Sequence, residues 1–284
     1  MQTTKANILG VDDDKAEKWK HILDNIREYP TIEISEDFKL ADMQGVKTKS
    51  VYESKISSPG KVFVGFEGMP VIKNNAPATS MPVFPGDDIG IDSPKSIKDI
   101  AWRTVSIIPY YLYDDLVMLT LARVRLGKNE LDLFEKLTRI VRLNNGGLSI
   151  TDYPVVWVNG CGWPIVINES ILQSYTGKIR INPVYLKLDA QFMGLRSVGA
   201  FLISGEIRAD GYVAYITLMS ESGTTCYLHK PWDGLMRIRS LSSMSKIEYT
   251  EDDDIIRFDT DRGSLYIVDH PENPWESQPL TYID

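Results

Sequence analysis

The stretch "WVNGCGWPIVINESILQSYTGKIRINP", residues 157–183, contains two sequence patterns in succession. Its apolar run, about residues 163–175, has the length of a helix and is followed by a Thr-Gly stop, and "KIRINP" then alternates as a strand does. The Trp, Asn, Gly and Cys residues in front of the run fit two interpretations. They form either the lip of a ligand site at a helix start, where free N–H groups and side chains converge, or a junction between helices and a sheet.

After Gly177 the sequence has the pattern of short strands. Runs rich in Ile, Val, Leu, Tyr and Phe are separated by turn signals, such as Ala-Asp-Gly at 209–211 and Asp-Arg-Gly at 261–263. Helices followed by strands are typical of an α+β fold or of two domains. We therefore predict a helical part over residues 1–176 and an antiparallel β-sandwich over residues 177–284.

The N-terminal half begins with an amphipathic pattern. Residues 12–28 have apolar side chains at helical spacing and an acidic first turn, and Pro30 lies just beyond them. Residues 31–90 are interrupted by many Gly and Pro residues and include the strand-like "KVFVGFEG". This segment predicts a long inserted connection with room for a small hairpin.

Three more helices are predicted between this connection and residue 143. Ser93 is expected to cap the first of them, with Pro94 at its first helical position. Helices over residues 114–126 and 130–143 are separated by only three residues. Such a short loop predicts an antiparallel helical pair.

The composition is that of an ordinary globular protein. The 284 residues are 43% hydrophobic and 25% charged, and the net charge is −8. A nucleic-acid partner is not expected, because it requires a clustered basic face. No apolar run reaches the roughly 18 to 20 residues that cross a bilayer, and the N-terminal segment lacks the apolar core of a signal peptide. We expect no membrane partner, and the localisation stays open because a parent protein could be secreted or periplasmic.

No motif for a metal or a nucleotide is present. His21, His229 and His270 are far apart in the sequence, and no glycine loop matches a phosphate-binding fingerprint. We therefore predict no metal and no cofactor. Cys161 and Cys226 are interpreted as buried small side chains rather than as a disulfide.

Paired carboxylates are candidates for glycoside hydrolysis, which requires only two of them. Asp87 and Asp88 lie in the loop "FPGDDIG", where structural and functional roles are both open. For Asp114 and Asp115, at the start of a predicted helix, N-capping is favoured. For the acidic run 252–254 a solvated turn is favoured.

Aromatic residues cluster before the apolar run. Tyr153, Trp157 and Trp163 flank Asn159, and aromatic faces beside amide groups bind sugar rings. Core packing is the alternative for the same tryptophans. Glu169 is either exposed on the outer face of the helix, which is favoured, or directed into a cleft.

Several of these segments resemble the C-terminal region of glycoside hydrolase family 95, the α-L-fucosidase-like family. "ESILQSYTGKIRINP" (169–183) is similar to its E-x-L-L-Q-S helix, and "GLRSVG" (194–199) to a G-L-R-A-R-G-like stretch in the β-domain that follows. "VFPGDDIG" (83–90) resembles a Y-P-G-x-x-I element, and "LARVRLGKNELDLFEKL" (121–137) resembles a helix pair. The matches occur in order over about residues 6–232 and are more specific together than singly.

The resemblance implies that the helices belong to an (α/α)6 toroid that precedes the sandwich. It also implies exo-acting, inverting hydrolysis of α-L-fucosides or α-L-galactosides. This chain corresponds to about the last third of such an enzyme, and the glutamate that serves as general acid lies upstream of the matching part. The family's catalytic Asp corresponds to Val158 or Asn159, and an Asn orients a water or a sugar hydroxyl but is no general base by itself. The histidine before the Y-P-G element has no counterpart in "PATSMPVFPG".

We therefore hypothesise a glycoside hydrolase-like polypeptide, incomplete as a catalyst alone, that receives carbohydrate beside the junction of helices and sandwich. The candidate catalytic residues are Asp87, Asp88, Asn159 and Glu169. The candidate substrate-binding residues are Tyr153, Trp157, Asn159 and Trp163. The alternative is a non-catalytic carbohydrate-binding or structural module. An open helical part leaves apolar faces uncovered, which predicts self-association or association with further upstream helices.

Overall fold

The computed structural model describes residues 12–36, 58–67, 78–108, 115–132 and 156–276. Its four helices are α1 (Asp13–Asp24), α2 (Lys95–Ile107), α3 (Asp115–Arg125) and α4 (Val156–Ile171). Strands β1 (Thr31–Ile34) and β2 (Gly60–Phe63) lie between α1 and α2. The ten strands after α4 are β3 (Leu172–Gln173), β4 (Arg180–Ile181), β5 (Ala190–Ser197), β6 (Phe201–Ile207), β7 (Val213–Ser220), β8 (Cys226–His229), β9 (Arg237–Ser240), β10 (Thr250–Asp252), β11 (Ile255–Phe258) and β12 (Leu265–Asp269).

The named strands pair antiparallel in every described sheet, so the predicted α+β class is confirmed. That the helices form part of an (α/α)6 toroid stays a prediction, as does a domain boundary after residue 176. Within the described ranges, no helix has the length and apolar character to span a membrane.

The cap of α2 differs from the prediction. Pro94, in an extended conformation with φ −52° and ψ 142°, occupies the N-cap position, and the helix begins at Lys95. Ser93 instead accepts a hydrogen bond from the backbone N–H of Gly90 at 3.0 Å. Its hydroxyl therefore closes the preceding turn and does not cap the helix.

The predicted bounds of α4 were wrong at both ends. Residues 157–163 are helical and do not form a turn, and Pro164 lies inside the helix. Gly162 serves helix packing, because a Cβ there would overlap Val117 of α3. At the other end, Leu172 already pairs with Ile181 as a strand. The change from helix to strand thus follows residue 171.

The structure confirms two of the remaining predicted helices and describes only the start of a third. Helix α1 is confirmed with a shorter range than 12–28. Helix α3 confirms the prediction over 114–126, apart from residue 114, which lies outside the described residues. Residues 131 and 132 are helical, and the rest of the predicted helix over 130–143 lies outside the described residues.

The predicted connection over residues 31–90 contains a two-stranded antiparallel ribbon, β1 with β2. Val62 and Phe63 of β2 pack into a core with Val105 of α2. The backbone N–H of Phe63 donates to Thr104 Oγ1 at 2.9 Å. The ribbon is therefore attached to α2 by both packing and hydrogen bonding.

The C-terminal part consists mainly of a five-stranded sheet, in the order β5-β6-β7-β12-β9, and a three-stranded sheet, β10-β11-β8. Both contribute to one apolar core, with Ile203 and Ile216 from the first and Leu228 and Ile256 from the second. A core shared by two antiparallel sheets is what a β-sandwich requires, and the sandwich itself stays a prediction. Cys226 is buried in the same core and is free, in keeping with its interpretation as a small apolar side chain.

Strand β5 was missed by the sequence analysis. Its exposed and half-buried residues outnumber its buried ones, and its pairing with β6 shifts register between Phe192 and Leu195. Gly194, inside this irregular segment, has a φ of +67°. A bulge of this kind breaks the strict alternation by which strands are recognised.

Exposed apolar side chains occur on α1 and just after it. Ile22, Leu23 and Ile26 are 50%, 50% and 71% exposed. Self-association through such surfaces stays a prediction.

Candidate functional site

A buried arginine at the end of α3 joins two of the predicted carboxylates. The Arg125 side chain is only 7% exposed. Its Nη2 and Nε donate to the two carboxylate oxygens of Glu169 at 2.8 and 3.3 Å, and its Nη1 is paired with Asp87. Nη1 also donates to the carbonyl oxygen of Val83 at 3.3 Å. We call Arg125, Asp87 and Glu169 the Arg125 cluster.

Two aromatic rings enclose the guanidinium of Arg125. Its central carbon lies 4.7 Å from the centre of the Phe84 ring and 4.4 Å from that of Tyr175. Burial alone would lower the pKa of Arg125, but the hydrogen bonds and charges of Glu169 and Asp87 outweigh it and raise this pKa. A planar guanidinium suits this place, because it bonds carboxylates at its edge and stacks on rings with its faces.

Tyr175 connects the cluster to the loop before α2. Its hydroxyl accepts from the backbone N–H of Ile91 and donates to the carbonyl oxygen of Arg125, both at 3.4 Å. Burial is the main cause that raises the pKa of Tyr175 to about 12. Gly90 provides the space for this hydroxyl, because a Cβ at that position would overlap it. The Tyr175 ring is thus fixed between the loop and α3.

Asp88 lies beside Asp87 in the sequence but has another partner. Its carboxylate accepts a hydrogen bond from the hydroxyl of Tyr29. Burial, followed by the hydrogen bond to Asp88, raises the pKa of Tyr29 to about 12. Asp87 has a φ of +61°, a left-handed conformation that Asp tolerates in turns. The structure therefore separates the two carboxylates that the sequence presented as a pair.

A pocket lies where α4 meets β3 and β5, with a volume of about 310 Å³. We call it the seam pocket; its lining residues are Ile165, Asn168, Glu169, Leu172, Ser174, Tyr175, Leu195, Arg196 and Val198. Apolar walls combined with a few polar groups are typical of small-molecule sites. The seam pocket is at the C-terminal end of α4, whereas the predicted cleft is at its N-terminal end.

The predicted substrate-binding residues fall on the other half of α4. Trp157, Asn159 and Trp163 are on helical backbone, and their side chains lie outside what the structure describes. Tyr153 also lies outside the described residues. Their roles stay predictions, although the turn that was to present them is a helix.

Two carboxylates differ from their favoured interpretations. Glu169 was expected to be exposed, but its side chain is 18% exposed and paired with Arg125. Asp254, in the acidic run 252–254, was expected to be solvated. It is 63% exposed, yet it accepts a hydrogen bond from Nδ1 of His229 at 3.1 Å.

A histidine cluster near the loop before α2 was not predicted from the sequence; we call His229, Arg180, Asp92 and Asp254 the His229 cluster. Nη2 of Arg180 donates to Nε2 of His229 at 2.8 Å and to Asp92 at 2.5 Å. With Nδ1 bonded to Asp254, both ring nitrogens are occupied, and His229 is neutral with its proton on Nδ1. Burial, and then the charge of Arg180, lowers the pKa of His229 against the smaller opposing effects of Asp254 and Asp92. His229 thus connects β8 to the loop before α2 and has no free nitrogen for catalysis.

A signal for the Arg125 cluster was present in the sequence. Arg125 follows Leu121, Ala122 and Val124 in an apolar helix, and a buried arginine requires a carboxylate partner. Which carboxylates pair with it depends on chain segments 38 and 44 residues away. No local pattern indicates these partners. Across the described ranges, no group of three or more His, Cys, Asp or Glu residues is arranged to hold a metal ion.

Comparison with known proteins identifies no family. No protein-family model matches the chain, and no curated protein matches it. Among solved structures, the chain is similar to the catalytic domain of the GH30 xylanase C from Talaromyces cellulolyticus, with a TM-score of 0.23 and 9% sequence identity. The match covers 38% of this chain and 34% of the xylanase chain. This chain therefore spans about a third of that domain, and a similarity at this level assigns neither fold nor activity.

Proposed function

We propose that this chain is a glycoside hydrolase-like protein that binds a neutral sugar, of the α-L-fucoside or α-L-galactoside class, in the seam pocket. The single observation on which this proposal depends is the composition of that pocket. Its walls combine an amide, a hydroxyl, a carboxylate and a guanidinium with aliphatic side chains. The resemblance of residues 169–183 and 194–199 to family 95 supports the same class of ligand.

The lining side chains suit the two surfaces of a sugar ring. Leu195 and Val198 offer apolar surface to a C–H face, and Val198 is 53% exposed. The amide of Asn168 both donates and accepts hydrogen bonds. The hydroxyl of Ser174 accepts from the backbone N–H of Val198 at 3.0 Å and still has its own hydrogen to donate. A sugar hydroxyl can therefore bond to Asn168 and Ser174 while its ring packs on the aliphatic wall.

Binding is better supported than hydrolysis. Inverting hydrolysis needs a protonated carboxylic acid and a carboxylate base about 6.5 to 9.5 Å apart. Among the described lining residues, Glu169 is the one carboxylate, and both of its oxygens accept from Arg125. Both oxygens of this carboxylate are thus already engaged as acceptors, and the inverting reaction needs a second carboxylate that the described lining does not include. We therefore expect the chain to bind sugar without turnover.

Hydrolysis remains the second candidate because of one observation. Asp87 and Glu169, both predicted from the sequence as catalytic candidates, meet at the same guanidinium. Two carboxylates at one site are what the reaction requires. For hydrolysis to occur, Arg125 would have to release either Asp87 or Glu169 when substrate binds. Release of the aryl group from an aryl α-L-fucoside would support hydrolysis and overturn binding without turnover.

The binding proposal is tested by isothermal titration calorimetry with methyl α-L-fucoside. Asn168 is exposed, and Asn168→Ala should weaken binding of the fucoside about five- to tenfold, since one or two hydrogen bonds are lost. The matched control is Asn25→Ala, because Asn25 contacts His21 on α1 and is not part of the seam pocket. It should bind like the unmodified chain.

Asn159→Ala distinguishes the two ends of α4. Unchanged affinity in this variant together with weaker binding by Asn168→Ala supports the seam pocket. The opposite pattern would place the sugar at residues 157–163. Absence of fucoside binding by the unmodified chain would refute the proposed function.

A further inference from the structure

A second charged cluster lies at the edge of the five-stranded sheet, on β9 and β12. Asp269 has no exposed surface. Its two oxygens accept from Nε and Nη2 of Arg237 at 2.8 and 2.7 Å, and one of them also accepts from Nη2 of Arg239 at 2.9 Å. The backbone N–H of Trp275 donates to the same carboxylate at 2.8 Å. We call Asp269, Arg237 and Arg239 the Asp269 cluster.

This cluster has more donors than acceptors. A carboxylate accepts about four hydrogen bonds, and Asp269 already accepts four. Nε of Arg239 and Nε1 of Trp275 are buried without a partner among the described residues. Within those residues, Nη1 of Arg237 and Nη1 of Arg239 also make no hydrogen bond. The two Nη1 groups are not among the buried unpaired atoms, so they reach solvent and are available to an acceptor of a ligand in place of water.

The Asp269 cluster, counted by itself, is positively charged. Two guanidiniums share one carboxylate, so the cluster has a net charge of +1. Nearby, Lys246 and Glu248 compensate each other in an ion pair of 2.9 Å. Glu276 is exposed, and its attraction for Arg237 compensates part of this positive charge. The group that best satisfies both the charge and the free donors is an anionic oxygen acceptor, such as a carboxylate.

A cavity of about 540 Å³ lies beside the two arginines. It is lined by Leu235, Met236, Arg237, Arg239, Met244, Lys246, Glu248, Tyr249 and Pro271. A smaller cavity of about 210 Å³, which includes Trp275, shares Arg237, Arg239 and Met244 with it. The larger volume lies within the range of about 300 to 1,000 Å³ that is common for small-molecule sites.

We propose that this larger cavity, the β9 cavity, binds a sugar acid of hexuronate size. The carboxylate of the sugar acid accepts hydrogen bonds from the free Nη1 groups of Arg237 and Arg239, and the sugar ring packs against Tyr249 and Met244. The choice of a sugar rests on the proposed function, whereas the choice of a carboxylate rests on the Asp269 cluster alone. Bidentate recognition of a carboxylate by arginine is a strong, directional interaction.

The test is calorimetric titration of the full chain with glucuronate and galacturonate, beside glucose and galactose. We expect the uronates to bind at least tenfold more tightly than the neutral sugars. Arg239→Gln should weaken uronate binding about tenfold or more, since charge-assisted hydrogen bonds are lost. The charge-matched control is Arg262→Gln, at an exposed turn residue outside the cavity, which should leave binding unchanged.

Arg239→Lys keeps the positive charge beside Asp269 but lacks the planar fork, and should also weaken binding. If Arg239→Gln does not fold, the Arg239→Lys variant and the comparison of ligands on the unmodified chain still test the proposal. Equal binding of uronates and neutral sugars would overturn recognition of the carboxylate. Displacement of uronate by equimolar acetate or phosphate would overturn recognition of the ring.

The two proposals fail in different ways. Uronate binding that is lost in Asn168→Ala but intact in Arg239→Gln would overturn the β9 cavity, because the ligand would then lie in the seam pocket. Absence of uronate binding by the unmodified chain would also overturn it. Uronate binding without fucoside binding would refute the proposed function and leave the β9 cavity standing.

Discussion

The Arg125 cluster and the Asp269 cluster have opposite charge ratios. In the first, one cation lies between two carboxylates; in the second, one carboxylate lies between two cations. In both, the central ion is the most buried: 7% of the Arg125 side chain and none of the Asp269 side chain is exposed. The outer ions retain contact with water, which limits the desolvation cost of each cluster.

The difference between the clusters indicates different roles. The Arg125 cluster joins three separate chain segments, the loop before α2, α3 and α4. Each nitrogen of its guanidinium is bonded to a carboxylate, and two aromatic rings contact it, so Arg125 holds these segments together beside the seam pocket. The Asp269 cluster joins neighbouring strands and retains donors without partners. It is therefore the better candidate for capturing an anionic ligand.

The largest expected effect on stability is at the centre of the Asp269 cluster. Asp269→Asn removes the charge that compensates two guanidiniums and replaces an acceptor oxygen by a donor. We expect the free energy of unfolding to fall by about 3 to 5 kcal/mol, as when one partner of a buried ion pair is removed. Urea unfolding measures this change, and Asp261→Asn, at an exposed turn, is the control with an effect below about 0.5 kcal/mol. A loss of less than about 1 kcal/mol in Asp269→Asn would show that the cluster is not held by its central charge.

The outer carboxylates of the Arg125 cluster should differ according to their exposure. Glu169 is 18% exposed and Asp87 is 47% exposed. We expect Glu169→Gln to lower the free energy of unfolding by about 2 kcal/mol and Asp87→Asn by less than about 1 kcal/mol. The two variants are compared in the same urea series. Equal losses, or a larger loss for Asp87→Asn, would contradict this gradation by burial.

The smallest effect on the free energy of unfolding is expected from the His229 cluster, which contains both positive and negative side chains. The folded state holds the pKa of His229 below its ordinary value of 6.5, chiefly through burial and then through Arg180, against Asp254 and Asp92. The unfolded chain therefore takes up a proton that the folded chain does not, and stability should fall as the pH drops below about 6.5. Urea midpoints from pH 7 to pH 5 measure this slope, and His229→Gln should have a shallower one. An equal or steeper slope in the variant would rule out His229 as the cause.

Much of the fold follows from local sequence patterns. Helical spacing predicted α1 and α3, and runs rich in Ile, Val, Leu, Tyr and Phe predicted seven of the later strands, because both signals lie within a few residues. The start of α4 was missed because its glycines and tryptophans look like a turn. Gly162 instead allows α4 to approach Val117 of α3, which is a tertiary effect. Strand β5 was missed because its bulge interrupts the alternation.

Individual residues of the Arg125 cluster could be predicted from the sequence, but their contacts with one another could not. Asp87 and Glu169 were both identified as functional candidates, one from a Gly/Pro loop and one from its place in an apolar helix. Their common partner Arg125 was not, because the pairing depends on how α3, α4 and the loop pack together. The same holds for His229, which meets Arg180 across 49 residues. Pairings between distant ions are a property of the folded chain and have no local signature.

The central claim is that a neutral sugar lies in the seam pocket, at the C-terminal end of α4. A crystal structure of the chain with methyl α-L-fucoside tests it most directly. We predict sugar density between Asn168 and Val198, with a hydroxyl of the sugar bonded to Ser174. Density at residues 157–163 or in the β9 cavity, with the seam pocket empty of sugar, would contradict it.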